Sequence, residues 1–426
     1  MPEGPNCGAA ALTRPRAPAQ PSRLSYAAAV SDGGQLLRDT LSANGFCVVS
    51  AVVSDAATLS RWSGDLRRLI ADVALGAEAA AAPGAADALF AASHDDSAWP
   101  SGGSGSFCTG VFDGFGAGHA RACWEARLHP RVRAVFAALW RSKRLVASLD
   151  GFAAERPRRG APAPLDGAAA WPQPPLHTDE NPHGPGALDD AVHAVQGVLS
   201  LSATFPEGGG TTVVARSHKF HRELLTCASA AADASLRAEP GRNWHELSAA
   251  EREWLLRQPG CELRRVATAP GDLLLWDSRT VHCGRRASVP LPAEGWRLAL
   301  FLCFWPAAKL DDAARRRKAA ACGVDPATGA PLPGARPEST THWPDGRELK
   351  PRYGWPGPGE EAGADPWARP RPADVRSDGI AALPAAARSK AALRIAGVLP
   401  YGGDSDAEDD EATCAWMAAT EEQQQL

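Results

Sequence analysis

Long apolar runs are missing from this chain of 426 residues. The best of them, Leu298 to Ala308, is shorter than the roughly 18 residues that a membrane-spanning helix needs, and it contains a proline. This excludes a protein with helical membrane spans and indicates that the run is a buried strand. We therefore expect no membrane partner.

Paired cysteines are also missing. The ten cysteines form no C-x-x-C motif and show no zinc-finger spacing, which indicates reduced thiols rather than a disulfide scaffold. The N-terminal segment lacks the apolar core of a secretory signal. The sequence therefore predicts an intracellular protein, cytoplasmic unless the N-terminal arginines belong to an organellar transit peptide.

An excess of charge of one sign is absent as well. The net charge is -4, so no general affinity for nucleic acid is expected. The hydrophobic fraction of 44% and the charged fraction of 22% are those of a globular protein. These values leave small molecules as the expected partners.

Helical patterns dominate the first third of the chain. A short helix ends at Asn44-Gly45, a strand follows over "FCVVSAVV", and a longer helix starts at Ser54 or Asp55. The Ala/Gly/Ser-rich residues 78–118 read as a loop, and Pro130 opens another helix.

Strand patterns dominate the next part. "HAVQGVLSLSATF" and "TTVVA" are separated by a glycine turn and are predicted to form a hairpin. A helix near 248–257 is expected from the capping box of Ser248 and Glu251, and further strands follow over "CELRRVAT", "LLLWD" and "WRLALFLCFW". Helices followed by antiparallel-looking strands predict an α+β protein built on a sandwich or jelly roll.

Composition divides the chain into four segments. Residues 1–30 and 401–426 are predicted to be disordered, the latter because it is acidic; 31–310 are the folded domain, and 311–400 are a Pro/Gly-rich wrap over its surface. The basic run Arg315 to Lys318 reads as a solvated face, or alternatively as a patch for a phosphorylated or CoA-like substrate.

Two potential metal ligands stand one residue apart in "PPLHTDENP". His177 and Asp179 share one face if the segment is extended, and the preceding prolines favour extension. The alternative is an ordinary turn, because Asp and Asn before Pro are common turn formers. Two histidines and one carboxylate make the facial triad of non-haem iron enzymes, so a third ligand is needed.

The best third ligand is His282, which follows the apolar strand "LLLWD". Arg297 then heads an alternating strand and, if it points inward, would bind a carboxylate bidentately. The alternatives are a loop histidine and a surface ion pair. No H-E-x-x-H follows His245, which disfavours zinc protease chemistry.

Taken in order, His177-x-Asp179, "GGGTTVVARSHKFH", "PGDLLLWDSRTVHCG" and Arg297 resemble the phytanoyl-CoA dioxygenase family. The resemblance covers roughly residues 30 to 306. It implies a double-stranded β-helix core and an Fe(II)- and 2-oxoglutarate-dependent dioxygenase that consumes O2 and releases succinate and CO2. It also implies hydroxylation of a small organic or acyl substrate.

The same resemblance implies the roles of individual residues. His177, Asp179 and His282 would ligate Fe(II) as catalytic residues, Arg297 would hold the distal carboxylate of 2-oxoglutarate, and Gln196 would contact the co-substrate or the substrate. Gly284 departs from the family, in which a hydroxyl residue often stands two positions after the second histidine and assists the arginine.

Two other functions compete with this one. A cupin-like jelly roll could bind a metal or small molecule without 2-oxoglutarate, and Arg297 discriminates against it because such a protein needs no buried arginine there. An interaction scaffold with a degenerate core is disfavoured by the intact triad of His177, Asp179 and His282.

Overall fold

The computed structural model describes residues 22–92, 110–157, 175–180, 192–205, 207–226, 245–285, 287, 295–347 and 379–402. Its α-helices are Tyr26–Val30 (α1), Gln35–Asn44 (α2), Ala56–Leu75 (α3), Ala77–Ala80 (α4), Ala85–Ala91 (α5), Arg121–Leu128 (α6), Pro130–Trp140 (α7), His221–Thr226 (α8), Ala249–Leu256 (α9), Asp312–Cys322 (α10) and Lys390–Ile395 (α11). Its strands are Arg23–Ser25 (β1), Phe46–Ser50 (β2), Val111–Phe112 (β3), Leu145–Ala147 (β4), Phe152–Glu155 (β5), His177–Thr178 (β6), Val195–Ser200 (β7), Gly210–Ala215 (β8), His245–Glu246 (β9), Glu262–Val266 (β10), Leu273–Asp277 (β11), His282–Arg285 (β12) and Arg297–Pro306 (β13).

The predicted helix boundaries are set by local capping. Gly45 ends α2 with a φ of 83°, and the Asp55 side chain accepts hydrogen bonds from the first backbone N–H groups of α3. Pro130 occupies the first turn of α7, and both halves of the Ser248–Glu251 capping box are present at α9. These four predictions are confirmed.

Two sheets contain the described strands. The larger has eight strands in the order β1-β2-β11-β7-β13-β5-β3, with β4 also paired to β13, and the smaller has the order β10-β8-β12-β6-β9. All pairs except β1–β2 are antiparallel. The two sheets face each other, and the predicted α+β double-stranded β-helix is confirmed.

Each face of the larger sheet has its own apolar layer. Between the sheets, Phe46, Val198 and Trp276 of the larger sheet pack with Val213 and Val266 of the smaller. On the opposite face of the larger sheet, the main core contains the buried faces of helices α2, α3, α6 and α7. The helices therefore support one side of the barrel, and the other side is left to the smaller sheet.

Two predictions of irregular structure are corrected. Within residues 1–30, strand β1 and helix α1 are ordered because Leu24 is buried and Arg23 pairs with Asp272 at 2.6 Å; residues 1–21 lie outside the described residues. Within 78–118, α5 and β3 are formed, because alanine favours helices and Leu89 and Phe90 have a core to pack on. Residues 93–109 lie outside the described residues.

The predicted hairpin is wrong. Strand β7 pairs with β11 and β13 in the larger sheet, whereas β8 pairs with β10 and β12 in the smaller one. The glycine turn, in which Gly209 and Gly210 have positive φ values of 90° and 134°, carries the chain from one sheet to the other. Sequence neighbours in a jelly roll often lie in different sheets, and alternation along each strand is the same in either arrangement.

The C-terminal segment contains more regular structure than predicted. Helix α10 includes the run Arg315 to Lys318, and Lys318 is fully buried rather than solvated, because it shares a helix face with Ala314 and Ala321. Helix α11 adds Leu393 and Ile395 to the main core. Residues 348–378 and 403–426 lie outside the described residues.

Two findings bear on the setting of the fold. Among the described residues, none of the helices is long and apolar enough to cross a membrane. Six cysteines of the described part, Cys47, Cys123, Cys261, Cys283, Cys303 and Cys322, are buried free thiols.

Candidate metal centre

The two residues of the H-x-D motif are held by the smaller sheet. His177 in β6 pairs directly with His282 in β12, and the Asp179 backbone N–H donates to the Ser278 carbonyl at 3.1 Å. Thr178 between them is fully buried and points the other way, and its hydroxyl donates to the Glu180 carbonyl. The extended segment therefore places His177 and Asp179 on the side on which His282 lies.

The structure brings the three predicted ligands together. One potential ligand atom from each of His177, Asp179 and His282 lies within 4.8 Å of the others. His282 Nε2 is 3.0 Å from Asp179 Oδ2, and His177 Nε2 is 3.7 Å from Asp179 Oδ1. Two imidazoles and one carboxylate gathered from one side form the donor set of a facial triad, which leaves other coordination positions open.

Backbone carbonyls orient both imidazole rings. His177 Nδ1 donates to the Pro175 carbonyl and His282 Nδ1 to the Thr280 carbonyl, each at 2.9 Å. With the proton on Nδ1, the lone pair of Nε2 faces the carboxylate. Outer hydrogen bonds of this kind fix the tautomer and ring orientation of metal-ligating histidines.

The charges of the group also suit a cation. Burial and the neighbouring His282 lower the pKa of His177, so its ring is neutral at neutral pH. Burial opposes ionisation of Asp179, but His282, His342 and His177 outweigh it and hold the pKa of Asp179 well below its ordinary value. A neutral imidazole at His177 and an ionised carboxylate at Asp179 are the forms in which these side chains bind a divalent metal ion.

Gln196 lies beside the carboxylate. Its Nε2 donates to Asp179 Oδ2 at 2.7 Å from strand β7, whose inner face also carries Val198. The sequence predicted that Gln196 would contact the co-substrate or the substrate, and its contact in the structure is with the proposed ligand Asp179. It therefore acts on the centre through that side chain.

Arg297 lies inside the barrel. It is buried, its Nη1 donates to Glu155 Oε1 at 2.5 Å, and its Nη2 lies 3.5 Å from Thr211 Oγ1. Thr211 is the cross-strand partner of Gly284, which stands two residues after His282 on β12. The guanidinium thus faces inward, as predicted for a residue that binds a carboxylate. It also forms an ion pair with Glu155, although that pair is buried and not at the surface as the alternative interpretation expected.

Three residues near the centre were not predicted from the sequence. Glu155 contacts Arg297 from the neighbouring strand β5 and Thr211 contacts it from β8 of the opposite sheet, and His342 from the C-terminal segment is close enough to Asp179 to lower its pKa. Glu155 and His342 stand outside the quoted motifs, and Thr211 lies within "GGGTTVVARSHKFH" without being singled out there. Their proximity comes from strand register and from the return of residues 339–347 to the barrel, where Thr340 N donates to the Leu149 carbonyl at 3.0 Å.

Several solved structures are similar to this chain at low sequence identity. The apo form of EctD from S. alaskensis has a TM-score of 0.39 at 12% identity, covering 66% of this chain and 79% of that one. The non-heme alpha ketoglutarate dependent carbocyclase SnoK from nogalamycin biosynthesis has 0.39 at 13%, covering 65% and 86%. AviO1 from Streptomyces viridochromogenes Tue57 has 0.37 at 14%, covering 66% and 94%.

Sequence comparison is more decisive. Ava biosynthesis cluster protein O of Aspergillus versicolor is 30% identical over 192 residues, which is 45% of this chain and 56% of that relative. The family model of phytanoyl-CoA dioxygenase (PhyH) matches residues 41–288, more than half of the chain, and includes His177, Asp179 and His282. The chain therefore belongs to the phytanoyl-CoA dioxygenase family.

Proposed function

We propose that this chain is an Fe(II)- and 2-oxoglutarate-dependent dioxygenase that uses O2 to hydroxylate a small organic or acyl substrate, with the Fe(II) centre held by His177, Asp179 and His282. Arg297 binds the distal carboxylate of 2-oxoglutarate. The observation that carries the proposal is the convergence of three ligand atoms within 4.8 Å, with both Nε2 lone pairs aimed at the carboxylate of Asp179.

The chain's own residues have distinct tasks in this function. Fe(II) supplies the chemistry that reduces O2 while 2-oxoglutarate is converted to succinate and CO2. His177 and His282 would present Nε2 to the metal because their Nδ1 protons are held by backbone carbonyls, and Asp179 would supply the negative charge. Arg297 would hold the distal carboxylate of 2-oxoglutarate and so orient the co-substrate in the barrel.

The retained carboxylate supports hydroxylation as the outcome. Asp179 fills the third ligand position, so there is no small residue there that would make room for a halide ligand. A small-molecule substrate is supported by the relative from Aspergillus versicolor, whose name assigns it to a biosynthesis cluster. The match covers 56% of that relative, so this substrate class is part of the proposal.

Anaerobic reconstitution tests the ligand set. Purified protein is titrated with Fe(II) and then with 2-oxoglutarate, and we expect one Fe(II) per chain and a visible metal-to-ligand charge-transfer band. Admission of O2 should then yield succinate. In Asp179→Ala, Fe(II) affinity should fall by more than about 100-fold, because loss of an outer partner alone costs about 10–100-fold.

A matched variant shows that the effect belongs to the centre. Glu246→Ala also removes a carboxylate next to His177, since Glu246 is the cross-strand partner of His177 on the short strand β9, but that side chain is exposed and does not belong to the group of three ligand atoms. It should keep the band and succinate formation. Full Fe(II) binding and turnover by a folded Asp179→Ala protein would show that the ligand assignment is wrong.

A further inference from the structure

An open position lies at Gly284, on the inner face of β12. A Cβ atom added to this glycine meets no other atom within 4 Å. The position is two residues from His282 on the same face of the strand, so it points into the barrel beside the proposed metal ligands. The chain therefore has space, and no side chain, at the point where a hydroxyl would reach the co-substrate.

Strand β8, the neighbour of β12, carries a hydroxyl directly beside Gly284, on Thr211. Thr211 of β8 is the direct cross-strand partner of Gly284, and Val213 two residues on is the partner of His282. Thr211 and Val213 share a strand face, and Val213 packs in the layer between the two sheets. The buried hydroxyl of Thr211 thus lies inside the barrel, 3.5 Å from Arg297 Nη2.

One edge of the Arg297 guanidinium is available to a ligand. Glu155 engages Nη1, whereas Nε is buried and has no hydrogen-bond partner among the described residues. The Nε–Nη2 edge is the one that binds carboxylates side-on; Arg279 uses it on Asp277, with distances of 2.9 and 2.7 Å. The buried Nε donor on that edge of Arg297, inside the barrel, can therefore bind a carboxylate.

We propose that Thr211 is a co-substrate-binding residue: its hydroxyl donates to the distal carboxylate of 2-oxoglutarate on the Nε–Nη2 edge of Arg297, replacing the hydroxyl absent at Gly284. Two residues along a strand span about 7 Å. That is comparable with the length of a five-carbon dicarboxylate reaching from the metal beside His282 to Arg297. This inference rests on the proposed function and adds a residue to it.

Three variants test the proposal by moving the hydroxyl. Thr211→Val removes it with little change of shape, Thr211→Ser keeps it, and Thr211→Val combined with Gly284→Ser places one on the adjacent strand, in the open position. The dissociation constant of 2-oxoglutarate is measured by calorimetry on anaerobic, metal-loaded protein, beside the KM for 2-oxoglutarate.

We expect Thr211→Val to weaken 2-oxoglutarate binding about 10-fold, as for loss of a hydrogen bond to a charged group, with kcat at saturation little changed. Thr211→Ser should bind as the unaltered protein does. The double variant should recover most of the lost affinity, and a merely structural role of Thr211 would give no such recovery.

Thr212→Val is the matched control. Thr212 is equally buried in the same strand but faces the opposite side of the sheet, so its substitution should leave the dissociation constant unchanged. Unaltered binding in a folded Thr211→Val protein, equal losses in both valine variants, or no recovery in the double variant would overturn the proposal. Failure of the unaltered protein to bind 2-oxoglutarate at all would instead overturn the proposed function, and this inference with it.

Discussion

The carboxylate of Asp179 faces two imidazoles at once, and Gln196 fixes one of its oxygens. The Gln196 amide donates to Asp179 Oδ2, the same oxygen that lies 3.0 Å from His282 Nε2. An outer partner of this kind sets the rotamer of a ligand before the metal arrives. At the scale of single residues, the orientation of the Asp179 carboxylate therefore depends on Gln196, which is not one of the three proposed ligands.

Gln196→Leu should lower Fe(II) affinity about 10-fold, because the carboxylate loses the partner that orients it. The check is a competitive Fe(II) titration under anaerobic conditions, with the dissociation constant of 2-oxoglutarate measured in parallel. Ser200→Ala is the control, since Ser200 is another buried polar residue on the same face of β7 and bonds to Thr268. A loss of 2-oxoglutarate affinity with unchanged Fe(II) affinity would place Gln196 on the co-substrate instead.

The sequence predicts some site residues and not others for a physical reason. His177 and Asp179 are related by the two-residue period of one strand, which is a local property, and the strand before His282 is readable from its apolar run. Thr211, Glu155 and His342 approach the centre only through the pairing of distant segments. Residues that depend on register leave no mark in their own neighbourhood.

At the scale of elements, helix α10 contacts strand β4 through a buried lysine. Lys318 is fully buried, and its Nζ donates to the Ala147 carbonyl at 2.6 Å. Burial lowers its pKa to about 7, and Arg127 nearby acts in the same direction. The helix is thus attached to strand β4 by an amine that is half neutral near pH 7.

The stability of the protein should therefore rise with pH just above neutrality. Unfolded lysine has a pKa of about 10.4, so between pH 7 and that value the unfolded chain binds a proton that the native chain does not. The free energy of unfolding then rises by up to about 1.4 kcal/mol per pH unit. Burial raises the pKa of Cys322 to about 11, so such thiols oppose the rise once they ionise in the unfolded chain, near pH 8.5.

Urea unfolding of Lys318→Met at pH 7.0, 7.75 and 8.5 isolates this contribution. The free energy of unfolding of the variant minus that of the unaltered protein should fall by about 2 kcal/mol from pH 7.0 to pH 8.5, because only the unaltered protein gains stability from Lys318. Lys390→Met replaces an exposed lysine at the start of α11 and should track the unaltered protein at every pH. Parallel curves for all three proteins would mean that Lys318 stays protonated in the fold.

The misassigned hairpin shows the limit of element-level prediction. Strands β7 and β8 were located correctly, since each is an apolar run bounded by turn residues. Their pairing was predicted wrongly. Side chains alternate with a period of two residues both in a strand that continues the same sheet and in a strand that crosses to the opposite sheet. The crossing matters for function, since it places Thr211 opposite Arg297 rather than beside Gln196.

At the scale of the whole molecule, the matched family region and the barrel do not coincide. The family match ends at residue 288, yet Arg297 of β13 and His342 of the C-terminal segment both act on the site from beyond it. Thr340 is fixed to the barrel by two hydrogen bonds with Leu149. Its N–H donates to the Leu149 carbonyl, and its Oγ1 accepts from the Leu149 N–H at 3.2 Å. The C-terminal wrap is thus part of the site's support.

Truncation separates the wrap from the tail. A chain ending at residue 310 loses α10 and α11, and with them Leu383, Leu393, Ile395 and Val398 of the main core. At about 1.5–3 kcal/mol for each buried side chain, the loss is about 6–12 kcal/mol, comparable with the whole stability of a domain. We expect that chain to be insoluble or to lose its cooperative melting transition.

A chain ending at residue 402 keeps every described residue and should melt as the full chain does, as the prediction of a disordered acidic tail requires. Thermal denaturation followed by circular dichroism compares the three lengths. Cooperative melting of the 310-residue chain at the full-length temperature would show that residues 311–402 form a separate unit. In that case His342 and the hydrogen bonds between Thr340 and Leu149 would not be needed for the barrel to fold. Fe(II) binding by the 310-residue chain would then decide whether residues 311–402 contribute to the metal centre.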